Sequence, residues 1–359
     1  MSDFDLDIDD LTARDWEGET DAEPVRFALV GLGWWTREQA IPAMVDADYA
    51  EPTVLVSGSP EKAEDVAADL DTVTATLDYD EYADGDATDD YDAVYVCTPN
   101  ALHPEHVEAA ADHGKAVLCE KPLAADLEGA ETAVDACRSA DVPLMVAYRV
   151  LTSPLARRAR ELVRDGAIGE VVSVLGHMSD TILDSAGPDS WRLDPELSGG
   201  TTINDIGIYP LSTMRFVLDA DPRAVQATTT AAQEAFEGVD EHTAFTLEFS
   251  DSLLAACTAS HSAEVVSSLR FVGTEGELTL EGPFFPDSEK TLRLSTGDTE
   301  SEFRPDTANQ MREEFDYFAN HLQRDEPFEP DGETGLVDMR LIEALYESAE
   351  SGERVEVDA

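Results

Sequence analysis

Short apolar runs alternate with helical patterns along residues 25–149. The helical patterns repeat their apolar positions every three to four residues, whereas the apolar runs are continuous, as in strands buried on both faces of a sheet. The predicted strands are 25–30, 53–56, 72–76, 93–97, 115–118 and 144–148, and the clearest helices are 104–112 and 127–139. This order predicts an α/β domain with a parallel sheet that helices cover on both faces.

Beyond residue 150 the pattern loosens and changes in kind. After a helix predicted at 154–165, apolar and polar residues alternate, which is typical of antiparallel strands with one exposed face. Those strands are 171–176, 224–230, 243–249, 253–259 and 269–272, and two helices, 310–323 and 335–348, follow them. Residues 150–359 are therefore predicted to form a second, α+β domain with a large, open and mostly antiparallel sheet. Its final helices could pack back on the first domain.

Residues 1–24 form an acidic N-terminal arm. Scattered among its Asp and Glu residues are five large apolar ones, Phe4, Leu6, Ile8, Leu11 and Trp16. Two interpretations remain open at this point, namely a frayed tail and an arm that docks on a neighbouring subunit.

The charge of the chain is extreme, because 78 acidic residues against 23 basic ones give a formal net charge of −55. Self-repulsion of this size opposes compaction unless salt screens it, and at about 1 M salt the Debye length is roughly 3 Å. The acidic residues are spread among apolar patterns, so we expect a folded protein of a high-salt cytoplasm. Nucleic acid is an unfavourable partner, because its binding needs clustered Lys and Arg.

Cysteine spacing and hydropathy argue against two further classes of protein. The four cysteines lack the paired spacing that is typical of disulfide frameworks and zinc ribbons. No apolar stretch approaches the roughly 20 residues of a membrane span, and acidic residues stand where a signal peptide carries Lys or Arg. We therefore expect a cytoplasmic protein with reduced thiols that does not bind membranes.

A glycine-rich motif, Gly31-Leu32-Gly33-Trp34-Trp35-Thr36, follows the first predicted strand and opens a helical pattern. In this context the first glycine permits a tight turn, and the second lets the backbone approach a pyrophosphate at the helix N-terminus. The motif predicts a Rossmann domain that binds a dinucleotide, with Thr36 where a third glycine is usual. Pro42 is expected to kink or end the helix.

The second strand ends in Ser57-Gly58-Ser59, and Lys62 follows one helical turn later. Folds that prefer NAD commonly hold the ribose 2′-hydroxyl with a carboxylate at this strand end, and here there is none. Hydroxyls and a lysine could instead bind a 2′-phosphate, so NADP is favoured over NAD. The alternative is that Ser57 and Ser59 simply cap the following helix.

Candidate site residues gather at the carboxyl ends of the predicted parallel strands, where the ligands of such sheets bind. They are Gly31, Ser57, Thr98, Lys121 and Arg149. Lys121 is one of only four lysines, and it stands between Glu120 and Pro122, either as a catalytic group or in a solvent-facing turn. His103 and His106 lie close together in sequence, but nothing completes a tetrahedral set, so no metal is expected.

A helix is predicted around residues 201–210 of the second domain. Thr201 or Thr202 could cap this helix, and Pro210 should kink it by removing a backbone donor. Asp205 and Tyr209 are four residues apart and would share one face of it.

The chemistry of this pair depends on a neighbouring positive charge. Oxidation of a C–H beside a hydroxyl needs a base for the hydroxyl proton. A tyrosine is a poor base unless a nearby ammonium favours its phenolate form, and Lys121 would supply that charge to Tyr209. Spacing alone slightly favours the other interpretation of Tyr209 and Asp205, namely a core tyrosine and a surface aspartate.

Taken together, the motifs resemble those of the glucose–fructose oxidoreductase and inositol dehydrogenase family. The motifs that carry the resemblance are Gly31-Leu32-Gly33, Thr98-Pro99-Asn100 with His103, Glu120-Lys121-Pro122, Tyr148-Arg149, Trp191-Arg192 and Asp205-Ile206-Gly207-Ile208-Tyr209. The Glu-Lys-Pro motif is the most specific of them, and the resemblance covers nearly the whole chain after residue 24. It is strongest to the sugar-oxidising branch, in which tyrosine replaces a histidine found in many relatives.

The resemblance implies roles for individual residues. Lys121 would be the catalytic lysine, Tyr209 the acid/base and Asp205 its partner at the sugar. The residues implied to contact the sugar are Lys121, Tyr148, Asp205 and Tyr209. Those implied to hold the cofactor are Gly31, Gly33, Trp34, Trp35, Ser57, Gly58, Ser59, Lys62, Tyr79, Thr98, Asn100, His103, Glu120, Lys121, Arg149, Trp191 and Arg192.

The activity implied by the resemblance is NADP-dependent oxidation of a cyclic aldose at C1, with D-xylose giving D-xylono-lactone. The alternatives are a dehydrogenase for glucose, arabinose or a polyol, and a non-catalytic regulator that binds NAD(P). The C-terminal domain would bind the sugar and build a homodimer or homotetramer through its sheet.

Overall fold

The computed structural model describes residues 13–304 and 308–357. Their contacts divide the chain into two compact units. The first unit contains residues 16–149 and 309–339, and the second contains residues 13–15, 150–304, 308 and 340–357. The domain boundaries drawn from the sequence stay a prediction. No helix in the described ranges is long and apolar enough to cross a membrane.

A six-stranded parallel sheet lies at the centre of the first unit. Its strands are β1 (Val25–Val30), β2 (Ala50–Val56), β3 (Ala75–Leu77), β4 (Ala93–Val96), β5 (Ala116–Glu120) and β6 (Leu144–Ala147). They are ordered β3-β2-β1-β4-β5-β6, so the winding reverses between β1 and β4. Such a reversal leaves a ligand crevice outside the carboxyl ends of the two strands. The predicted doubly wound parallel sheet is confirmed.

The third strand was expected at 72–76 and instead begins at Ala75. Residues 71 and 72 form a turn, in which the Thr72 hydroxyl donates to the Pro52 carbonyl at 2.7 Å. A hydroxyl that bonds to nearby backbone competes with strand pairing, which explains the later start.

The second unit is built on a nine-stranded sheet, counted over the described residues. Its strands are β7 (Val171–Thr181), β8 (Ala224–Thr230), β9 (His242–Ser250), β10 (Leu253–Ser260), β11 (Ser262–Gly273), β12 (Gly276–Glu281), β13 (Thr291–Thr296), β14 (Thr299–Phe303) and β15 (Val355–Glu356). Their order is β14-β13-β12-β11-β7-β10-β9-β8-β15, and only β7 and β10 pair in parallel. The predicted open and mostly antiparallel sheet is confirmed, with four strands that the pattern did not reveal.

Eleven α-helices lie in the described part of the chain. They are α1 (Ile41–Val45), α2 (Pro60–Ala67), α3 (Tyr79–Asp84), α4 (His103–Asp112), α5 (Leu127–Ala140), α6 (Pro154–Arg164), α7 (Ile182–Ser185), α8 (Pro195–Ser198), α9 (Ile208–Leu218), α10 (Gln310–Arg324) and α11 (Gly332–Ser351). Several start at a polar cap. The Asp126 carboxylate, for example, accepts the Gly129 N–H at 2.8 Å and begins α5.

Neither Pro42 nor Pro210 ends its helix, because a π-type turn precedes each of them. Residues 36–40 and 203–207 form these turns, and α1 and α9 continue beyond the prolines. In the first turn the Ile41 N–H bonds to the Thr36 carbonyl, five residues back. Each proline then falls in the first turn of the α-helix that follows, where an N–H has no partner within that helix and its loss costs little.

Trp16 packs into the aromatic core of the first unit. Phe27 on β1 packs against Phe315 and Phe318 of α10, with ring centroids 5.9 and 5.4 Å apart. Trp16 is buried edge-on against Tyr317 of the same helix at 5.6 Å. The described part of the acidic arm therefore packs within the first unit at Trp16, and for this residue both a frayed tail and docking on a neighbour are wrong. Residues 1–12 lie outside the described residues.

The helical segment that carries Asp205 is capped by a side chain that is distant in sequence. The Asp240 carboxylate accepts the N–H groups of Thr201 and Ile203 at 2.8 and 3.0 Å, and the Tyr346 hydroxyl at 3.1 Å. The prediction that Thr201 or Thr202 caps the helix is wrong, since neither hydroxyl accepts a backbone N–H of it. A carboxylate accepts these hydrogen bonds more strongly than a hydroxyl would.

Candidate active site

The glycine turn of the first unit leaves room beside its second glycine. Gly31 has a φ of +95°, and a Cβ there would lie 2.3 Å from the Cys97 carbonyl oxygen. A Cβ on Gly33 would meet no atom of the described residues within 4 Å, its two chain neighbours aside. Thr36, in place of the usual third glycine, is buried, and its hydroxyl donates to the Gly31 carbonyl at 2.6 Å. The departure from the motif thus ties the helix start to the turn.

The strand end after β2 shows how the two serines are used. The Ser57 hydroxyl accepts the Ser59 N–H at 3.2 Å, and the Ser59 hydroxyl accepts the Lys62 N–H at 3.4 Å as the cap of α2. The capping interpretation is therefore correct for Ser59. Each hydroxyl keeps its own proton for donation. The Lys62 side chain is exposed, and its contact with a 2′-phosphate stays a prediction.

Tyr79 covers the same strand end. A Cβ on Gly58 would lie 3.1 Å from the Tyr79 ring, so the ring rests on the backbone of Gly58. Tyr79 also packs against His106, with ring centroids 4.9 Å apart. Burial lowers the pKa of His106 to about 4, so its ring is a neutral packing surface at ordinary pH.

The loop after β4 is tied to the loop after β5 by His103. Its Nε2 lies 2.9 Å from the Thr98 carbonyl and its Nδ1 lies 2.9 Å from the Pro122 carbonyl. Burial lowers the pKa of His103 to about 4, and a neutral ring can donate to only one of the two carbonyls. The nearby Asn100 is also buried. The Thr98 hydroxyl is buried and has no hydrogen-bond partner among the described residues.

Lys121 follows β5 and is half-buried, with a cis bond to Pro122. The Glu120 carboxylate before it accepts the Tyr95 hydroxyl at 2.6 Å and the Lys121 N–H at 3.2 Å. Behind Glu120 lies Glu314 of α10, which is fully buried. Burial and the charge of Glu120 raise the pKa of Glu314 well above its usual value, although the Arg149 guanidinium opposes this. The surroundings of this carboxyl, which lies behind the Lys121 loop, therefore favour its neutral form.

Residues after β6 complete this edge of the sheet. Tyr148 and Arg149 are buried, and the Arg149 guanidinium lies 5.3 Å from the centre of the Trp35 ring. Trp35 in turn contacts Trp34, which is 62% exposed. The cationic group is thus held against an aromatic face, an arrangement that stabilises buried guanidinium groups.

In the second unit, Asp205 is held by two side chains. Arg192 Nε lies 3.0 Å from Asp205 Oδ2, and His261 Nε2 lies 3.7 Å from the same oxygen. The Arg192 guanidinium also lies 4.6 Å from the centre of the Trp191 ring. Tyr209 is 8% exposed, and its ring packs against Phe284 at 5.9 Å.

Two family models match the chain. Residues 25–148 match the model described as "Oxidoreductase family, NAD-binding Rossmann fold", and residues 156–279 match the "GFO/IDH/MocA C-terminal domain". The chain belongs to the GFO/IDH/MocA oxidoreductase family. The family inferred from the motifs is thereby confirmed.

Individual GFO/IDH/MocA members extend this finding. The chain is 49% identical over 361 aligned positions to a protein of Haloarcula marismortui named D-xylose 1-dehydrogenase [NADP(+)], covering 98% of this chain and 100% of the relative. It is 35% identical to D-xylose 1-dehydrogenase (NADP(+)) 2 of Haloferax volcanii, covering 92% and 99%. The solved structure of aldose-aldose oxidoreductase from Caulobacter crescentus superposes with a TM-score of 0.88 at 29% identity, covering 93% and 100%.

The first unit of this GFO/IDH/MocA chain fits a bound dinucleotide. The space beside Gly33 is open to a close-lying group, and the buried Thr98 hydroxyl has no hydrogen-bond partner among the described residues. A buried polar group without a partner is costly unless a ligand or water satisfies it. These observations support the expected cofactor-binding edge.

The predicted site residues are divided between the units. The structure brings the residues that follow β1, β2, β4, β5 and β6 to one edge of the parallel sheet, as the alternating pattern predicted. Lys121 belongs to this first unit, whereas Trp191, Arg192, Asp205 and Tyr209 belong to the second. Four buried or interacting groups were not predicted from the sequence: Asp180, Asp240, His261 and Glu314. No local spacing signals them, because their partners lie far away in the chain.

Proposed function

We propose that this chain is an NADP-dependent aldose dehydrogenase, which oxidises cyclic D-xylose at C1 to D-xylono-lactone. The observation that carries the proposal is the 49% identity, over nearly the full length of both chains, to a relative that bears this activity in its name. A second relative at 35% identity bears the same activity. Lys121, Asp205 and Tyr209 supply side chains that suit the chemistry.

The reaction requires the protein to accept a proton, to stabilise a developing negative charge and to orient the sugar. Tyr209 accepts the proton of the C1 hydroxyl, and Lys121 provides a positive charge that stabilises the developing oxyanion. Asp205, fixed by Arg192 Nε at 3.0 Å, orients the sugar by accepting a hydrogen bond from one of its hydroxyls. Bound NADP⁺ supplies the acceptor for the hydride that leaves C1. Loss of that proton and that hydride turns the hemiacetal into a lactone.

A substrate panel tests this function in buffer with about 2 M KCl. We expect NADP⁺ reduction with the highest kcat/KM on D-xylose among xylose, glucose, arabinose and inositol. Lys121→Met keeps the apolar stem of the side chain, and Tyr209→Phe keeps the ring against Phe284. Each should lower kcat at least about 100-fold, which is the usual range for a lost acid–base group, while the Kd for NADP⁺ changes little. Full turnover by Lys121→Met would contradict the mechanism, and NADP⁺ binding without turnover on any sugar would favour a regulator.

The preference for NADP is assigned to the end of β2. We propose that Ser57, Ser59 and Lys62 contact the 2′-phosphate, since this strand end bears two hydroxyls, an exposed lysine and no carboxylate. Lys62→Ala should raise KM for NADP⁺ about tenfold or more and leave KM for NAD⁺ unchanged. An equal change for both cofactors would place Lys62 elsewhere on the dinucleotide.

A second copy of the chain is the proposed occupant of the open sheet face. Apolar side chains on β7, β10 and β11 are exposed there, including Leu175 at 46% and Leu254 at 58%. Such a patch on a chain this acidic is typical of an interface, so we propose a homodimer or homotetramer in a high-salt cytoplasm. Light scattering at about 2 M KCl should show a smaller species for Leu254→Asp than for the wild type. A monomeric wild type would contradict the assembly.

A further inference from the structure

A buried histidine joins Asp205 to a second carboxylate within the second unit. His261 lies between β10 and β11 and is 1% exposed. Its Nδ1 is 2.6 Å from Asp180 Oδ1, and its Nε2 is 3.7 Å from Asp205 Oδ2. The three side chains form a carboxylate–imidazole–carboxylate chain that ends at the residue assigned to the sugar.

The sheet register fixes the position of the imidazole. β10 and β7 pair in parallel with Ser260 beside Ser179, so the next residues, His261 and Asp180, lie side by side. The His261 N–H donates to the Glu241 carbonyl at 3.0 Å, and its own carbonyl accepts the Ile182 N–H at 3.2 Å. These bonds fix the backbone of His261, and its burial leaves the ring little freedom to turn away from either carboxylate.

The short contact with Asp180 indicates that Nδ1 of His261 carries a proton. A distance of 2.6 Å is that of a charge-assisted hydrogen bond, in which Nδ1–H donates to the carboxylate. Nε2 then faces Asp205 and has no hydrogen-bond partner among the described residues within ordinary distance. A bare Nε2 lone pair would oppose the lone pairs of the Asp205 carboxylate, whereas a proton between them attracts both.

Other charged groups near His261 have their own partners. Burial opposes the charge of Glu241, but N–H donors from Ala232 and Gln233 hold its pKa at about 2, so it is ionised throughout the useful pH range. His242 Nδ1 lies 2.8 Å from the Ser260 hydroxyl. On the far side, Arg192 Nε reaches the same Asp205 oxygen at 3.0 Å.

We propose that His261, oriented by Asp180, is a positioning residue whose protonated Nε2 faces Asp205 and keeps its carboxylate aimed at the sugar. This inference rests on the proposed function, because it deepens the part that Asp205 plays there. With the proton present, Nε2–H attracts Oδ2 of Asp205 and fixes the carboxylate. When the proton leaves at higher pH, the imidazole lone pair repels that oxygen and sugar binding weakens.

A titration without substrate tests the proton on Nε2 directly. The ¹⁵N shifts of histidine-labelled protein should show His261 losing a proton at lower pH in Asp205→Asn and in Asp180→Asn than in the wild type, because each change removes a negative charge beside the ring. An unchanged His261 titration in Asp205→Asn would overturn the proposal. This measurement needs no turnover, so it separates the proposal from the proposed function.

The pH dependence of D-xylose oxidation is the second readout. We expect kcat/KM of the wild type to fall at alkaline pH as His261 loses its proton. His261→Gln should lack this alkaline limb of the pH profile, and its kcat/KM should be about 10- to 100-fold lower than that of the wild type. The matched control is His242→Gln, a neighbouring histidine that does not contact Asp205 in any described interaction, and it should keep the limb. A limb that persists in His261→Gln would overturn the proposal. If the His261 titration changes in Asp205→Asn but the enzyme does not turn over D-xylose, the proposed function alone would be overturned.

Discussion

The two glycines of the turn after β1 offer a matched pair of substitutions. An alanine at position 31 would have to adopt a φ of +95° and place its Cβ 2.3 Å from the Cys97 carbonyl oxygen. A left-handed conformation costs an L-residue about 1–2 kcal/mol, and overpacking against fixed backbone costs about 1–3 kcal/mol more. Gly31→Ala should therefore lower the free energy of unfolding by about 2–5 kcal/mol.

Gly33→Ala should separate binding from stability. Apart from its two chain neighbours, no described residue has an atom within 4 Å of the added Cβ, so the free energy of unfolding should change by less than about 0.5 kcal/mol. The second glycine of the motif lets the backbone approach the pyrophosphate, so the Kd for NADP⁺ should rise about tenfold, or about 1.4 kcal/mol.

Urea unfolding followed by tryptophan fluorescence and calorimetric titration with NADP⁺, both at about 2 M KCl, measure the two effects. Wild-type stability of Gly31→Ala would refute the strain argument. Wild-type affinity of Gly33→Ala would show that the dinucleotide does not lie against this turn.

Three further predictions concern stability. The raised pKa of Glu314 means that its contribution to stability is fully present below pH about 4.5 and is lost as pH rises through the raised value, at up to about 1.4 kcal/mol per pH unit. Glu314→Gln should flatten this decline of the urea midpoint above pH about 4.5, and an unchanged slope would contradict the argument. Asp240→Ala removes the acceptor of the Thr201 and Ile203 N–H groups and should lower the free energy of unfolding by about 2–3 kcal/mol in the same assay. A loss below about 0.5 kcal/mol would contradict this. For a net charge of −55, raising KCl from about 0.5 to 2 M should raise the urea midpoint, and a fall would argue against screening.

The first unit could be predicted well because its signals are local. A strand buried on both faces is a continuous apolar run, so β1 was predicted with the bounds that the structure shows, Val25–Val30. The glycine turn lies within a few residues of that strand, and its required neighbours, a strand before it and a helix after it, are part of the motif. Both the element and its chemistry could therefore be inferred from one short segment.

Interactions across the chain could not be predicted in this way. His261 and Asp180 are 81 residues apart, and only the parallel pairing of β7 with β10 brings them together. Asp240 caps a helix start that lies 37 to 39 residues before it in sequence, while the local candidates Thr201 and Thr202 do not. Sheet register depends on packing of the whole sheet, and a cap supplied in trans leaves no pattern at the helix start.

The helix of Asp205 and Tyr209 shows where a spacing rule needs tertiary structure. Asp205 lies in the π-type turn 203–207 immediately before α9, which carries Tyr209. This turn shifts the backbone hydrogen bonds by one residue, and spacing alone does not reveal which groups face the Asp205 carboxylate. The direction of Asp205 is set instead by Arg192 and His261, which approach one of its oxygens at 3.0 and 3.7 Å. π-type turns of this kind frequently occur at functional sites, and here the turn carries the carboxylate that two distant side chains hold.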